Sequence, residues 1–474
     1  MINNIKKPRR GQIISIRIIC FFLFLFLFFN NSALADINPW VVNSVYDPGK
    51  WDTSGPYTAT PWLHPPPHVP DQQWGLFSGN WDTTNSITGS WGGLRDKLLE
   101  KYGLSVVSAY FGQLAANPAG GERQGASWKG DIGAAIFLDL ERLAGWSRGY
   151  FTASFSYKHG TDTLSSVYIN NQFPVQLASF DDGGAARLVH LAFGQQLFDN
   201  NVEFVLGRII TGEDFASLRL ACSSLNQAIC SNPIAGAQSI SFPVYPFGVW
   251  GARIKVKPST SWYAQAGSYI VYQDFRNPDD HGVMFSVPDG AGALTLGELG
   301  LIVGNYRGED GLPGKYKIGG YYDSEILLDF ESGEQERGTW GIYIMGEQML
   351  YAEDKKYNNG LSGFLALSYA PEDRNLLTFM AAGGLSYKGL LPNRPNDALS
   401  FISSYGKFSK DFSDSQQDLG EPGQDFEMLF ELNYRIQVLP WIFLEPDIQV
   451  IVNPDGRKDI DDALVIGFAV GTLI

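Results

Sequence analysis

The chain has 474 residues, with 53 Gly, 31 Phe, 22 Tyr and 12 Trp, 18% charged side chains and a net charge of -15. Such aromatic content with so little charge excludes a disordered chain, and the acidic balance excludes a protein that neutralises phosphates along a nucleic acid. Beyond the first thirty residues no apolar run approaches the ~18 to 20 residues that cross a bilayer as a helix.

Residues 1–35 read as a secretory signal peptide. Lys6, Lys7, Arg9, Arg10 and Arg17 precede the apolar stretch Ile18 to Phe29, and Ala33-Leu34-Ala35 supplies a cleavage site before Asp36. The apolar stretch is too short to anchor the chain comfortably as a membrane helix. Its removal takes away five basic and no acidic side chains, so the exported chain carries -20. Cys20 goes with it, leaving Cys222 and Cys230 in an oxidising compartment, where a disulfide closing a short loop is the natural reading. A metal pair would need two more Cys or His ligands close by, and none lies near in sequence.

Residues 36–90 form a Pro/Trp-rich leader, expected to be periplasmic, with Pro39-Trp40, Trp51, Trp62 and His64-Pro65-Pro66-Pro67-His68. Prolines so placed oppose both helix and sheet. An extended Pro run also holds His64 and His68 apart, which argues against a shared metal. Over 91–103, Leu94, Leu98, Leu99 and Tyr102 share one helical face and Gly103 is placed to end the helix.

From there the period falls from 3.6 to 2. In Trp128 to Glu141 the even positions Ile132, Ala134, Ile136, Leu138 and Leu140 are apolar, against Lys129, Asp131, Asp139 and Glu141. In Phe151 to His159, Phe151, Ala153, Phe155 and Tyr157 alternate with Thr152, Ser154, Ser156 and Lys158. Phe426, Met428, Phe430, Leu432, Tyr434, Ile436 and Val438 interleave with Glu427, Leu429, Glu431, Asn433, Arg435 and Gln437. Ala252, Ile254 and Val256 do so against Arg253, Lys255 and Lys257, and Leu464, Ile466, Phe468 and Val470 close the chain in the same manner.

Alternation alone would suit a soluble sandwich. Strand length arbitrates: soluble strands average about five or six residues, whereas a tilted membrane-crossing strand needs ~9 to 11. Trp128, Phe426, Tyr434 and Trp441 also sit near strand ends, where an aromatic girdle would lie. An exported chain with long alternating strands therefore fits an all-β fold, a transmembrane antiparallel β-barrel over 104–474, closed because no bare sheet edge survives in lipid. At roughly 23 residues per strand with its connections, about 16 strands are expected. Irregular stretches at 211–245, 274–293 and 391–425 are expected to be extracellular loops.

Several stretches resemble the carbohydrate-selective porins of the OprB family. They are Trp91-Gly92-Gly93-Leu94-Arg95 followed by Gly103; Gly207-Arg208 with Asp214-Phe215-Ala216 and Cys222; Gly314-Lys315-Tyr316-Lys317-Ile318-Gly319 with Tyr322-Asp323-Ser324; and Trp441 through Gln449 with Asn453-Pro454. Their order along nearly the whole exported chain is the specific feature. The resemblance implies an outer-membrane barrel of a Gram-negative bacterium, of sixteen strands, monomeric or trimeric. It would let glucose and related sugars diffuse passively into the periplasm, with outer-membrane lipid around it, no cofactor and no nucleic acid. Barrels of this kind typically end in an aromatic residue; this chain ends at Ile474, six residues beyond Phe468.

A sugar channel needs exchangeable hydrogen-bonding side chains at its waist. The polar halves of the alternating strands supply the candidates: Lys129, Asp131, Asp139, Lys158, Arg253, Lys255, Lys257, Glu427, Glu431, Asn433 and Arg435, most of them expected merely to solvate the wall. Arg208 shares parity with Val202, Phe204 and Leu206 and would face lipid, unless the strand ends at Gly207 or a bulge turns the side chain inward. No GxSxG, HExxH or Walker sequence surrounds His64, His68, His159, His190 or His281, so an enzyme is not expected; His159 and His190 read as wall residues. Two rivals stand beside the sugar porin: a general diffusion pore without sugar preference, and a secreted soluble β-sandwich that binds glycans.

Overall fold

The computed structural model describes residues 86–178, 186–230, 232–304, 311–353, 359–439 and 441–474. Residues 1–85, with the expected signal peptide, Cys20 and most of the expected leader including His64 and His68, lie outside the described residues. The helix α1 (Leu94–Tyr102) ends at Gly103, whose φ of 65° is a left-handed conformation that a side chain would oppose. Arg95 of α1 donates Nη2 to the carbonyl of Ile474 at 2.9 Å, which ties the helix to the last strand.

Sixteen strands follow: β1 (Leu104–Ala119), β2 (Ala126–Asp139), β3 (Gly149–Gly160), β4 (Ala186–Leu197), β5 (Val202–Ile209), β6 (Val249–Ser259), β7 (Trp262–Val271), β8 (Gly292–Val303), β9 (Gly314–Leu328), β10 (Gln335–Ala352), β11 (Gly360–Tyr369), β12 (Leu377–Lys388), β13 (Ala398–Phe408), β14 (Phe426–Leu439), β15 (Ile442–Val452) and β16 (Ala463–Leu473). Each pairs antiparallel with its sequence neighbours, and β1 pairs with β16 from Ala109↔Leu473 to Ala119↔Leu464, so the sheet closes without an edge. Fold class and strand number match the sequence expectation.

The alternation sorts as expected. In β2, Ile132 and Ile136 are exposed on the outer surface while Asp131, Ala135 and Phe137 are buried inside; in β14, Leu432 is exposed while Glu427, Glu431 and Asn433 are buried. The outer surface is a belt of apolar side chains, among them Phe155, Leu206, Ile254, Leu299, Ile318, Ile344, Leu365 and Phe401.

Two boundaries differ from the sequence reading. β2 stops at Asp139 rather than Glu141, because the Asp139 carboxylate caps α2 (Leu140–Ala144), accepting from the N–H groups of Glu141 and Arg142. The stretch 391–425 is not one loop but contains β13. There the outward residues Leu399, Phe401, Ser403, Tyr405 and Lys407 and the inward Ser400, Ile402, Ser404 and Gly406 differ too little in polarity for a period of 2 to stand out.

The four longest loops follow the odd-numbered strands β3, β5, β7 and β13. A sixteen-stranded barrel is too wide for its own side chains to fill. Here much of the interior is taken by two long loops, L2 (161–185, described to 178) and L3 (210–248). Phe173, Phe215, Ile229, Ile234 and Phe242 of these loops are wholly buried and join the inward apolar residues of the wall in one core.

Candidate functional site

Irregular backbone inside a barrel carries N–H and C=O groups that must find partners. Wall side chains provide them. L3 begins with α3 (Thr211–Asp214), where Glu213 Oε2 lies 3.0 Å from His190 Nε2 of β4, and His190 Nδ1 lies 2.6 Å from Ser154 Oγ of β3. Arg253 of β6 sits between two acids: its Nη2 donates to Glu203 Oε2 at 2.6 Å, and its Nε lies 2.8 Å from Asp214 Oδ1. Burial pushes the carboxyls of Glu213 and Asp214 above the usual carboxylate range, opposed at Glu213 by the adjacent His190 and at Asp214 by the Arg253 charge.

Further along, L3 hangs from wall carboxylates. Glu298 of β8 accepts from the Ala216 N–H at 3.0 Å and Glu347 of β10 from the Leu220 N–H at 2.8 Å. Glu431 of β14 accepts from the Leu225 and Asn226 N–H groups and the Ser224 hydroxyl. Lys317 of β9 donates to the Ser217 carbonyl at 2.7 Å, and Ser368 of β11 accepts from the Ala235 N–H at 2.8 Å. A disulfide joins Cys222 to Cys230 within this loop.

L2 is held in the same way. Glu427 of β14 accepts from the Gln172 and Phe173 N–H groups, both at 2.8 Å, and from the Asp455 N–H of loop L8 (453–462) at 2.6 Å. Gln113 of β1 accepts from the Leu177 N–H, and Gln449 of β15 donates to the Val175 carbonyl, each at 2.8 Å. The loops also grip each other: the Gln227 N–H donates to the Pro174 carbonyl and Asn226 Nδ2 to the Phe173 carbonyl. The lumen is thereby narrowed by a fixed two-loop partition.

This geometry divides the eleven residues singled out from the sequence. Glu427, Glu431 and Asn433 are buried anchors of the loops, and Asn433 donates to the Ser223 carbonyl at 2.6 Å. Arg253 is a buried ion-pair centre; Lys255 Nζ stands 4.0 Å over the Tyr263 ring and Lys158 Nζ 5.9 Å over the Tyr245 ring. Asp131 accepts from the Ser156 hydroxyl at 2.7 Å. Asp139 is not at the waist but caps α2 at the rim where β2 ends. Lys129, Lys257 and Arg435 point inward and stay part-exposed. Arg435 pairs with Glu445 at 2.8 Å and lies 4.2 Å over the Phe443 ring.

Sequence reasoning missed Glu203, Glu298, Glu347, Gln113 and Gln449, and gave His190 no role beyond the wall. A signal existed: Glu298 is the lone carboxylate of β8, an otherwise apolar or small-residue strand, where an unpartnered charge is costly. It also missed Arg219 of L3 and Lys388 of β12, both part-exposed.

Arg208 answers neither of the two expectations for it. β5 continues to Ile209, and Arg208 keeps its outward parity, yet it is 3% exposed and donates Nε to the Leu188 carbonyl at 3.1 Å. Loop L4 (272–291) covers it. His159 holds the outward parity of β3 and stacks on Tyr110 with ring centres 5.8 Å apart.

Comparison with known proteins places these features in context. Residues 123–472 match the family model described as "Carbohydrate-selective porin, OprB family". Porin B of Pseudomonas aeruginosa is 27% identical over 426 residues, covering 82% of this chain and 91% of the relative. The putative porin QuiX of Acinetobacter baylyi is 26% identical over 413 residues, covering 81% and 92%. Among solved structures, the high-pH structure of Pseudomonas putida OprB superposes with a TM-score of 0.76 at 25% identity, covering 84% of this chain and 99% of that one.

Proposed function

Since the chain belongs to the carbohydrate-selective porin, OprB family, we propose how its lumen passes sugars and which side chains they meet. The protein is a sugar-conducting porin of the outer membrane, a channel as its family suggests. The reading rests on the partition made by L2 and L3, pinned to the wall by Glu298, Glu347, Glu427, Glu431, Gln113 and Gln449. A partition held by buried bonds on all sides gives an aperture of constant size, which discriminates solutes without a moving gate.

Within that aperture the sugar meets Lys129, Lys257 and Arg435, together with Arg219 of L3 and Lys388. These inward side chains are part-exposed and basic. Sugar hydroxyls accept from ammonium and guanidinium donors and exchange with water at small net cost, so a solute binds briefly and leaves. Asp131, Lys158, Arg253, Lys255, Glu427, Glu431 and Asn433 are framework, and act on the sugar only through the loops they hold. The outward apolar belt faces the hydrocarbon of the bilayer, and residues 1–35 direct export and are removed.

Liposome swelling tests the selective reading. Glucose is expected to enter faster than an amino acid of equal size, and equal rates would leave only a general diffusion pore. Absence of water-filled conductance in planar bilayers would remove the porin reading altogether.

A further inference from the structure

β5 is the shortest strand of the barrel, with eight residues, beside β4 with twelve. Their pairing runs up only to Leu191↔Arg208, and β5 ends one residue later, where the chain turns inward as L3. On that side the upper end of β4, Ala186 to His190, therefore has no strand beside it. In a barrel wall this is a notch with a bare edge, a condition that lipid does not tolerate.

L4 fills the notch. The Leu188 N–H donates to the His281 carbonyl at 2.8 Å, and His281 Nδ1 lies 2.9 Å from the Ala186 carbonyl. Arg208 Nε takes the Leu188 carbonyl from below. Gly282 passes so close that a Cβ there would stand 2.3 Å from the Leu188 carbonyl oxygen, and its φ is +68°. From this junction L4 runs over the outer surface. Trp250, on the outward parity of β6 with Ala252 and Ile254, donates Nε1 to the Met284 carbonyl at 3.1 Å, and its ring centre lies 5.4 Å from that of Phe285.

The segment so placed is Gly-Val-Met-Phe-Ser-Val-Pro, 282–288, without a charge, bracketed by Asp279 and Asp280 before it and Asp289 after it. Val283, Phe285 and Val287 are 53%, 63% and 59% exposed. They are contiguous with the apolar belt through Trp250 and stand where β5 fails to continue it.

We infer that L4 is a substitute wall element, and that Val283, Phe285 and Val287 bind the acyl chains of the membrane, restoring the lipid-facing belt above β5. The inference rests on the reading of the outer belt as a lipid surface. L4 thereby seals the β4–β5 notch against leakage between lumen and bilayer and buries Arg208, an outward-facing charge, under its own backbone.

The test uses single cysteines in the full exported chain, reconstituted in vesicles and carrying an environment-sensitive fluorophore. The native Cys222 and Cys230 are bonded to each other. Phe285→Cys and Val287→Cys are compared with Leu299→Cys on β8 in the belt and with Leu419→Cys in the loop L7 (409–425). Quenching of positions 285 and 287 by brominated acyl chains, at least half as strong as at 299, with little quenching by iodide, is the expected result. Iodide quenching like that at 419, while 299 reads lipid, overturns the assignment to L4 alone. An aqueous reading at 299 overturns the lipid belt itself and the inference with it. Energy transfer between 285 labels on different molecules would make the occupant a second copy of this chain, which also overturns it. Retention of the quenching pattern by either cysteine variant suffices should the other fail to fold.

Discussion

Arg253 and Asp214 face each other with Nε 2.8 Å from Oδ1, one on the barrel wall and the other at the root of the inward loop L3. Both side chains are nine-tenths or more buried, and Arg253 also holds Glu203. Removing one member of a buried ion pair is far costlier than the pair's net contribution, about 3–5 kcal/mol, because the other charge is left without compensation. Arg253→Met would leave Glu203 and Asp214 opposed across the former cation. The expected outcome is a lowered melting temperature in detergent and faster swelling with solutes larger than glucose. Unchanged conductance and size cut-off would mean that L3 does not depend on this pair.

Glu431 supports three consecutive residues of L3, accepting from Ser224, Leu225 and Asn226. Glu431→Ala leaves the buried Leu225 N–H and the Ser224 hydroxyl without an acceptor, at roughly 1–3 kcal/mol for each group stranded, while the Asn226 N–H keeps Ser224 Oγ at 3.0 Å. Faster amide hydrogen exchange confined to 223–227, with exchange in β14 itself unchanged, is expected. Equal exchange in both proteins would show that the carboxylate does not hold the loop.

The Cys222–Cys230 bond closes a short loop within L3. Chain-entropy arguments give about 2–3 kcal/mol for a closure of this size. Cys222→Ser with Cys230→Ser is expected to leave the strand signature intact while single-channel recordings become noisier. Quiet channels of native conductance in the double variant would assign the loop's rigidity to the wall carboxylates alone.

Asp455, in L8 after β15, has its carboxyl pushed up to about 6 by burial, against a side-chain hydrogen bond from Gln424 and the Arg457 charge. An acid whose folded-state value is raised favours the folded state while protonated. Its contribution is complete below the unfolded value of about 4 and is lost as pH rises through about 6. Asp455→Asn, which suits the φ of 56° at this position, removes the titration. The variant should be the more stable above pH 6, by an amount on the order of 2 kcal/mol. A melting temperature as pH-dependent as the native one between pH 4 and 7 would contradict this.

Lys129 stands part-exposed on the inner wall, within the proposed sugar path. A single hydrogen bond to a neutral hydroxyl is worth about 0.5–1.5 kcal/mol net, so Lys129→Gln is expected to lower glucose flux by roughly two- to tenfold. Glucose flux equal to native, with native gain in amino-acid entry, would remove Lys129 from the path.

What was legible in the sequence is what depends on one strand at a time. Period-2 alternation in 128–138, 151–159 and 426–438 places each side chain inside or outside, whatever its neighbours do, and run length separates a bilayer-crossing strand from a soluble one. The sixteen-stranded barrel and the outward belt therefore follow from the chain alone. β13 escaped because serine and glycine on its inner face blur the alternation, and Asp139 was misplaced because a helix cap looks like one more polar step in a strand.

The roles of the inward residues were decided only by tertiary structure. Glu427, Glu431 and Lys129 share one parity signal, yet two of them are buried and hold loop backbone while the third is part-exposed on the inner wall. The L2 and L3 partners of the two glutamates lie 205 to 255 positions away in the chain, such as Phe173 for Glu427 and Ser224 for Glu431. Periodicity reports the direction of a side chain relative to its own strand. It carries nothing about which distant backbone will fold into the lumen and need that side chain's oxygen, because that need arises from unpaired N–H groups that exist only once L2 and L3 have packed.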